Sequence, residues 1–332
     1  MVDRDLGFSL WLDFIERDFL KNEFSQLIEE GTINGATSNP AIFASAITTS
    51  SAYKEQLKAL KEKSPKEKYE AAAIADIKLA AQKLRDLYDS GNDGYISIEV
   101  DPFLSNDTEG TLQEARRLFN EIDEPNVMIK IPATDAGYEA MGTLIAEGIS
   151  VNATLIFSPN QAQKCLDVMS DALADYDHMG GGRVEAVISI FVSRFDRMMD
   201  AKLTKHGIKA ATLGIMNAAK IYNLIEKNHT PAIKTLFAST GVKGDNLVPE
   251  YYIQELLARH SVNTAPLNTI EAYKASNPTG KTKLPIAQEE VDAYFNKVAA
   301  AQIDMEEVYA TLMREGLEAF EKAFQDMLGA LK

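Results

Sequence analysis

Cysteine is almost absent from this chain of 332 residues, which has the single thiol of Cys165. One cysteine excludes an intramolecular disulfide, and a chain without disulfides suits a reducing compartment. The neighbours of Cys165, which are Gln163, Lys164 and Leu166, indicate a helix with no obvious base nearby. We therefore interpret this thiol as a structural residue and not as a nucleophile.

Long apolar runs are missing as well. No stretch is long enough to span a bilayer. Residues 1–5 include two aspartates and lead into no apolar region, so they predict neither a secretory signal nor a transit peptide. We expect a cytoplasmic protein.

Positive charge is scarce, because 34 lysines and arginines face 49 aspartates and glutamates, which gives a formal net charge of −15. This balance argues against nucleic acid or an anionic membrane surface as a partner. An anionic ligand would have to be held by a few local basic residues against the overall field.

Histidine is also rare. None of the four histidines, His178, His206, His229 and His260, has a metal-ligand spacing such as H-E-x-x-H. Nothing in the sequence requires a metal ion or an organic cofactor, so we predict neither.

What the sequence does contain is an alternation of short apolar runs with longer segments of helical period. The candidate strands are residues 9–15, 35–39, 95–100, 127–133, 151–157, 186–192, 234–239 and 261–265. Eight strands alternating with helices predict an α/β fold, a (β/α)8 TIM-type barrel. An open doubly wound sheet is the alternative, but it normally has a glycine-rich turn after its first strand, and residues 9–17 have none.

Several helices are predicted outside the strands. The main candidates are residues 64–90, 109–122, 158–174 and 210–226, with an extra helix near 54–61 and helix throughout 288–332. The last segment has an apolar face that includes Ile303, Leu312 and Phe320, which favours packing on the barrel wall over a partner helix. We expect one domain over 1–332, with 286–332 as C-terminal helices packed on the barrel.

Lys130 lies in the middle of the apolar run 127–133, which is typical of a buried strand. A buried ammonium is destabilising unless it is paired or loses its proton. A neutral lysine is a nucleophile that forms Schiff bases with carbonyls. Lysines in such runs also snorkel from a strand end or pair with a carboxylate, and this segment alone favours that interpretation.

Polar groups follow or end seven successive candidate strands, where barrel enzymes collect their catalytic groups. They are Asp13, Asn39, Glu99, Lys130, Asn152 with Thr154, Ser189 with Arg194, and Ser239. Any one of these could be a strand-end cap, but the full series favours an active site.

Two segments then identify a family. Residues 35–40, Gly-Ala-Thr-Ser-Asn-Pro, resemble a transaldolase signature, and residues 129–134, Ile-Lys-Ile-Pro-Ala-Thr, resemble the segment around the Schiff-base lysine of that family. Residues 97–100, 151–158 and 188–194 also match, so the similarity covers most of the chain. Residues 10–13 resemble the longer bacterial and plant branch.

The resemblance implies an enzyme without a cofactor that transfers a dihydroxyacetone unit between sugar phosphates in the non-oxidative pentose phosphate pathway. Lys130 would attack the C2 ketone. Glu99, with Thr154 and a bound water, would move protons during dehydration, and Asp13 would take the C4 hydroxyl proton. The hydroxyls of the retained three-carbon unit would be held by Asn39, Asn152 and Ser189.

The resemblance also implies a phosphate site at Arg194, which matches an arginine that the family has on the sixth strand. The alternative for this side chain is a surface salt bridge to Asp196 or to a helix carboxylate. On the seventh strand Ser239 is retained, but Gly241 stands where family members often have a second arginine. Lys243 is our candidate for the missing charge.

Two other functions remain as alternatives. A fructose-6-phosphate aldolase would use the same lysine, but that group tends to have glutamine at the position of Glu99 and tyrosine at that of Phe191. A catalytically silent barrel used as a scaffold would not need Lys130, Glu99 and Asp13 together. The expected partners are small sugar phosphates, and the oligomeric state is predicted only as monomer or homodimer.

Overall fold

The computed structural model describes residues 2–332, so Met1 of the N-terminal segment considered above lies outside it. Eight parallel strands form a closed barrel in chain order. They are β1 (Phe8–Leu12), β2 (Gly35–Thr37), β3 (Ile96–Glu99), β4 (Val127–Pro132), β5 (Val151–Ile156), β6 (Ala186–Phe191), β7 (Ile233–Ala238) and β8 (Ser261–Ala265). The prediction of a (β/α)8 barrel is confirmed.

The strands are short apolar runs because they are covered on both faces. Every residue of β4, β5 and β6 is buried, as expected for a parallel sheet with helices outside and side chains inside. β1 ends at Leu12, three residues before its predicted end. The amide of Asp13 still donates to the carbonyl of Ala265 over 2.9 Å, so this residue leaves the barrel at its rim.

The helices surround the barrel. They are α1 (Arg17–Lys21), α2 (Glu23–Glu29), α3 (Pro40–Thr49), α4 (Lys54–Ala59), α5 (Pro65–Asp89), α6 (Thr108–Ile122), α7 (Asp135–Ala146), α8 (Pro159–His178), α9 (Ser193–Leu203), α10 (Leu213–Lys227), α11 (Tyr251–Glu255), α12 (Leu267–Ala275), α13 (Gln288–Ala300) and α14 (Met305–Ala330). Short 3-10 turns occur at Ser51–Tyr53, Pro102–Leu104 and Thr204–His206. The predicted extra helix between the second and third strands corresponds to α4.

Two of the predicted helices begin with side-chain caps. Ser158 and Gln161 form a reciprocal capping box at the start of α8, and Pro159 occupies the first turn. Ser64 and Glu67 do the same for α5. These side chains satisfy amide groups that have no partner within the helix.

The C-terminal segment forms two helices where one continuous helix was predicted. α13 ends at Ala300, and α14 starts after Asp304, whose carboxylate accepts from the amide of Glu306 over 2.9 Å. α14 packs against α3 and also contacts α5 and β5. It therefore reaches across the end of the barrel at which the strands finish.

Within residues 2–332, no helix combines the length and the apolar character that a membrane span requires.

Candidate active site

The register of the barrel places three predicted site residues side by side. Glu99 of β3 pairs with Lys130 of β4, and Lys130 pairs with Asn152 of β5. Adjacent strands lie about 4.8 Å apart, so these side chains share one level of the barrel. Residues separated by more than twenty positions in the chain thereby become immediate neighbours.

The Lys130 amine is buried and paired. Its side chain is 8% exposed, and Nζ lies 3.2 Å from Glu99 Oε2. Nζ also donates to the carbonyl of Ser38 over 3.2 Å and lies 5.6 Å from the ring centroid of Phe320. The amine does not snorkel to solvent; of the two structural interpretations of its sequence, pairing with a carboxylate is the one observed.

Asp13 lines the same cavity as the Lys130 amine. Its Oδ1 accepts a hydrogen bond from Thr37 Oγ1 over 2.7 Å, and Thr37 Oγ1 lies 2.6 Å from Thr264 Oγ1. These contacts fix the orientation of the carboxylate at the junction of β1, β2 and β8. Thr37 and Thr264 were not among the predicted site residues.

The carboxyl groups of Asp13 and Glu99 both have raised pKa values. Burial raises the pKa of Asp13, while the charge of Lys130 and the hydrogen bond from Thr37 oppose the shift. Burial likewise raises the pKa of Glu99, against the opposing influence of Lys130. Raised carboxyl pKa values suit groups that both accept and return protons near neutral pH.

A cavity of about 250 Å³ opens beside the amine. It is lined by Asp13, Thr37, Asn39, Ala41, Lys130, Asn152, Thr154, Ser189, Phe191, Arg194, Ala238, Ser239, Thr264, Ala319, Phe320 and Ala323. All the predicted site residues are in this lining except Glu99 and Lys243. Glu99 instead contacts the amine from outside the cavity.

Hydroxyl and amide groups form one wall of the cavity. Asn152 is fully buried, donates through Nδ2 to Ser97 Oγ over 3.2 Å, and accepts through Oδ1 from Ser189 Oγ over 2.6 Å. Asn39 caps α3, with its Oδ1 accepting from the amide of Ile42 over 3.1 Å. This wall is therefore held rigidly by hydrogen bonds within the protein.

Thr154 differs from this wall, because its Oγ1 is buried without a hydrogen-bond partner among residues 2–332. Glu99 Oε2 accepts no hydrogen bond there either, apart from its ion pair with Lys130. Buried polar atoms without partners are uncommon and often mark catalytic sites. Both atoms can take part in proton transfer.

Arg194 belongs to a helix and not to the sixth strand, which corrects the sequence-based assignment. β6 ends at Phe191, and Arg194 is the second residue of α9. Its guanidinium lies 5.0 Å from the ring centroid of Phe191 and forms no ion pair within residues 2–332. Asp196, proposed as its alternative partner, accepts instead from Gly214 and Tyr252.

A second arginine, Arg197, was missed in the sequence. It lies one helical turn after Arg194, and both line a recess that adjoins the cavity. Burial lowers the pKa of Arg194, and the neighbouring charge of Arg197 adds to this effect. The spacing of three residues on one helix is the signal that could have found it.

The segment after β7 contributes Ser239 but not Lys243. Ser239 has a left-handed backbone conformation with φ of +56°, and its hydroxyl lies 3.0 Å from that of Ser193. Lys243 is exposed and does not line the cavity. Its role as a replacement for the missing arginine stays a prediction.

α14 forms the remaining wall through Ala319, Phe320 and Ala323. A Cβ built on Gly316 would lie 3.0 Å from Leu155 Cδ2 and 3.3 Å from Arg194 Nη1. The missing side chain of Gly316 therefore lets α14 approach both residues. The predicted apolar face thus packs on the barrel and also closes its mouth.

Comparisons with known proteins identify the family of the chain. Residues 10–331 match the family described as Transaldolase/Fructose-6-phosphate aldolase. A transaldolase of Campylobacter jejuni (strain RM1221) is 49% identical over 334 residues, covering 98% of this chain and 99% of that protein. A transaldolase of Helicobacter pylori (strain Shi470) is 43% identical over 324 residues, covering 97% and 99% respectively.

Proposed function

The chain belongs to the transaldolase/fructose-6-phosphate aldolase family and has transaldolase activity, and we propose that Lys130 is the amine on which this activity depends. The observation that carries the proposal is a buried amine 3.2 Å from the carboxylate of Glu99, in the lining of a cavity that a second carboxylate, Asp13, also lines. The full reaction would convert sedoheptulose 7-phosphate and glyceraldehyde 3-phosphate to erythrose 4-phosphate and fructose 6-phosphate.

The first step is formation of a Schiff base. Once Glu99 has taken the proton of its ion pair with Lys130, the amine attacks the C2 carbonyl of the ketose, and the resulting carbinolamine loses water. Glu99 lies beside the amine, so it can receive a proton from nitrogen and return it to the departing hydroxyl. The unpartnered hydroxyl of Thr154 supports this transfer through a water molecule.

The second step breaks the C3–C4 bond. Asp13 takes the C4 hydroxyl proton, an aldehyde leaves, and the bonding electrons move to the iminium nitrogen to give an enamine. Burial raises the pKa of Asp13, which strengthens the carboxylate as a base. The hydrogen bond from Thr37 keeps the carboxylate oriented for this step.

The enamine must survive until an acceptor aldehyde arrives. Phe320 lies over the amine and, with Ala319 and Ala323, closes one side of the cavity. Apolar groups at this position keep water from protonating the enamine carbon. The hydroxyls of the retained unit would contact Asn39, Asn152 and Ser189.

The phosphate group of the substrate binds at α9. Arg194 has no carboxylate partner within residues 2–332 and stacks on Phe191, so its planar donors remain available for a phosphate. Arg197 adds charge in the adjoining recess, and Ser239 adds a hydroxyl. Lys243 remains a candidate for a further charge once substrate is bound.

We expect Arg194→Ala to raise KM for fructose 6-phosphate about 10- to 100-fold, since a hydrogen bond to a charged group contributes about 1.5–3 kcal/mol. Arg197→Ala should raise KM about threefold, because this side chain is more exposed. Steady-state kinetics of both variants check this, with Lys202→Ala on the same helix as the control. If Lys243→Ala leaves KM unchanged, Lys243 does not contribute to the phosphate site.

A coupled assay tests the proposed function. With fructose 6-phosphate as donor, we expect multiple-turnover release of glyceraldehyde 3-phosphate only when erythrose 4-phosphate is present as acceptor, and a single equivalent per enzyme without it. Dihydroxyacetone should remain bound to the enzyme when the acceptor is omitted. Equal multiple-turnover rates with and without acceptor would instead indicate an aldolase, and no turnover in either assay would indicate a scaffold.

The location, partners, oligomeric state and domain organisation of the enzyme are also proposals. We propose a cytoplasmic protein that acts on small sugar phosphates and not on nucleic acid or membranes, as a monomer or homodimer. The support is the net charge of −15 and the single cysteine. One domain over residues 1–332, with 286–332 as its C-terminal helices, also stays a proposal.

A further inference from the structure

Two histidines and a glutamate meet at the opposite end of the barrel from the catalytic cavity. Glu226 lies near the end of α10, His229 follows that helix, and His260 immediately precedes β8. One ligand atom from each lies within 4.8 Å of the others. None of the three lines the catalytic cavity, and the proposed reaction uses none of them.

The distances suit a metal ion. His260 Nδ1 lies 3.1 Å from Glu226 Oε1, and His229 Nδ1 lies 3.7 Å from Glu226 Oε2. Zinc–nitrogen and zinc–oxygen bonds of about 2.0–2.1 Å place neighbouring ligands of a tetrahedral ion roughly 3.4 Å apart. The two observed distances, one to each oxygen of Glu226, lie on either side of that value, and the chosen ligand atoms all lie within 4.8 Å of one another.

Hydrogen bonding fixes how His260 presents its ring. Its Nε2 lies 3.1 Å from the carbonyl oxygen of Pro231. A carbonyl can only accept, so Nε2 carries the proton and donates, and Nδ1 of the neutral ring turns its lone pair toward Glu226. Metal-binding histidines are commonly oriented by a carbonyl in this way.

Two acceptor atoms 3.1 Å apart repel each other unless a cation lies between them. A proton on the imidazole is one such cation, and a metal ion is the other. The exposed ring of His229 adds a third ligand at the same place, 4.6 Å from the His260 ring between centroids.

We propose that Glu226, His229 and His260 bind one divalent transition-metal ion, with Zn²⁺ as the best fit to two imidazoles and one carboxylate. Since His229 is half exposed, water completes the coordination. The ion joins the end of α10 to the segments that lead into β7 and β8, so its role is structural.

The test uses the full chain without an oligohistidine tag, freed of metal by chelation and titrated calorimetrically with ZnSO4. We expect one Zn²⁺ per chain and a thermal midpoint raised by about 3 °C at saturating zinc. His229→Gln and Glu226→Gln should each weaken binding at least about tenfold. Addition of Co²⁺ should give visible absorption bands of a tetrahedral site.

His206→Gln is the matched control, because His206 is an exposed histidine outside the cluster. It should bind zinc as the unaltered chain does, and all three variants should keep transaldolase activity, which shows that they fold. The proposal is overturned if the unaltered chain binds no zinc, or if His229→Gln and Glu226→Gln bind it as tightly as His206→Gln does.

Discussion

Lys130→Met is expected to lower kcat by about 10⁴-fold or more, because it removes the nucleophile. Among residues 2–332, Lys130 is the only lysine in the cavity lining, so no neighbouring lysine there can replace it. Methionine has a similar length and keeps the strand apolar. Glu99 can take up a proton when its partner is removed, since burial already raises its pKa, so the fold should be kept. The coupled assay measures the loss.

Borohydride trapping shows where the covalent bond forms. After incubation with fructose 6-phosphate and reduction, peptide mass analysis should find a three-carbon adduct on Lys130. Lys234 is an internal control, since it also lies in a strand but pairs with Glu185 at 3.1 Å and lies outside the cavity lining. An adduct on Lys234, or normal turnover by Lys130→Met, would disprove the assignment.

Asp13→Asn should separate the two chemical steps. Removal of the base lowers C–C cleavage by about 10²–10⁴-fold, whereas Schiff-base formation depends on Lys130 and Glu99. The variant should therefore accumulate the uncleaved donor on Lys130, and reduction should trap a six-carbon adduct. The amide oxygen of asparagine can still accept from Thr37, so the local geometry is preserved.

Glu99→Gln is the contrasting variant, because Glu99 acts before the Schiff base is complete. We expect little adduct of either length from this variant within the time in which Asp13→Asn reacts fully. If Asp13→Asn instead yields the three-carbon adduct at the normal rate, another group removes the C4 proton. If Glu99→Gln traps adduct normally, Glu99 has no part in dehydration.

The barrel and most of its cavity were predictable because both depend on short-range patterns. An apolar run covered on both faces is recognisable from its composition alone. The carboxyl ends of parallel strands then meet at one face, so Asp13, Lys130 and Ser239 could be grouped without knowledge of any distance. The family resemblance added their expected roles.

The errors arose at residues whose placement depends on tertiary contacts. Arg194 was assigned to the sixth strand because it matches an arginine that the family has there, although the candidate strand itself ended at Val192. α9 begins there without a side-chain cap, so no capping signal was present. Phe320 was correctly placed on an apolar helix face, but periodicity identifies a face and not its partner. The meeting of His260 with Glu226 depends on closure of the barrel and has no local signal.

The position of α14 in the chain has a consequence for synthesis. A ribosome completes all eight strands before it reaches Gly316 and Phe320. A nascent chain therefore contains every proposed catalytic side chain before Phe320, which lies over the amine, has been made. We expect that an enamine formed without α14 would be protonated by water and lost. Group transfer is therefore expected only once α14 has packed over the cavity.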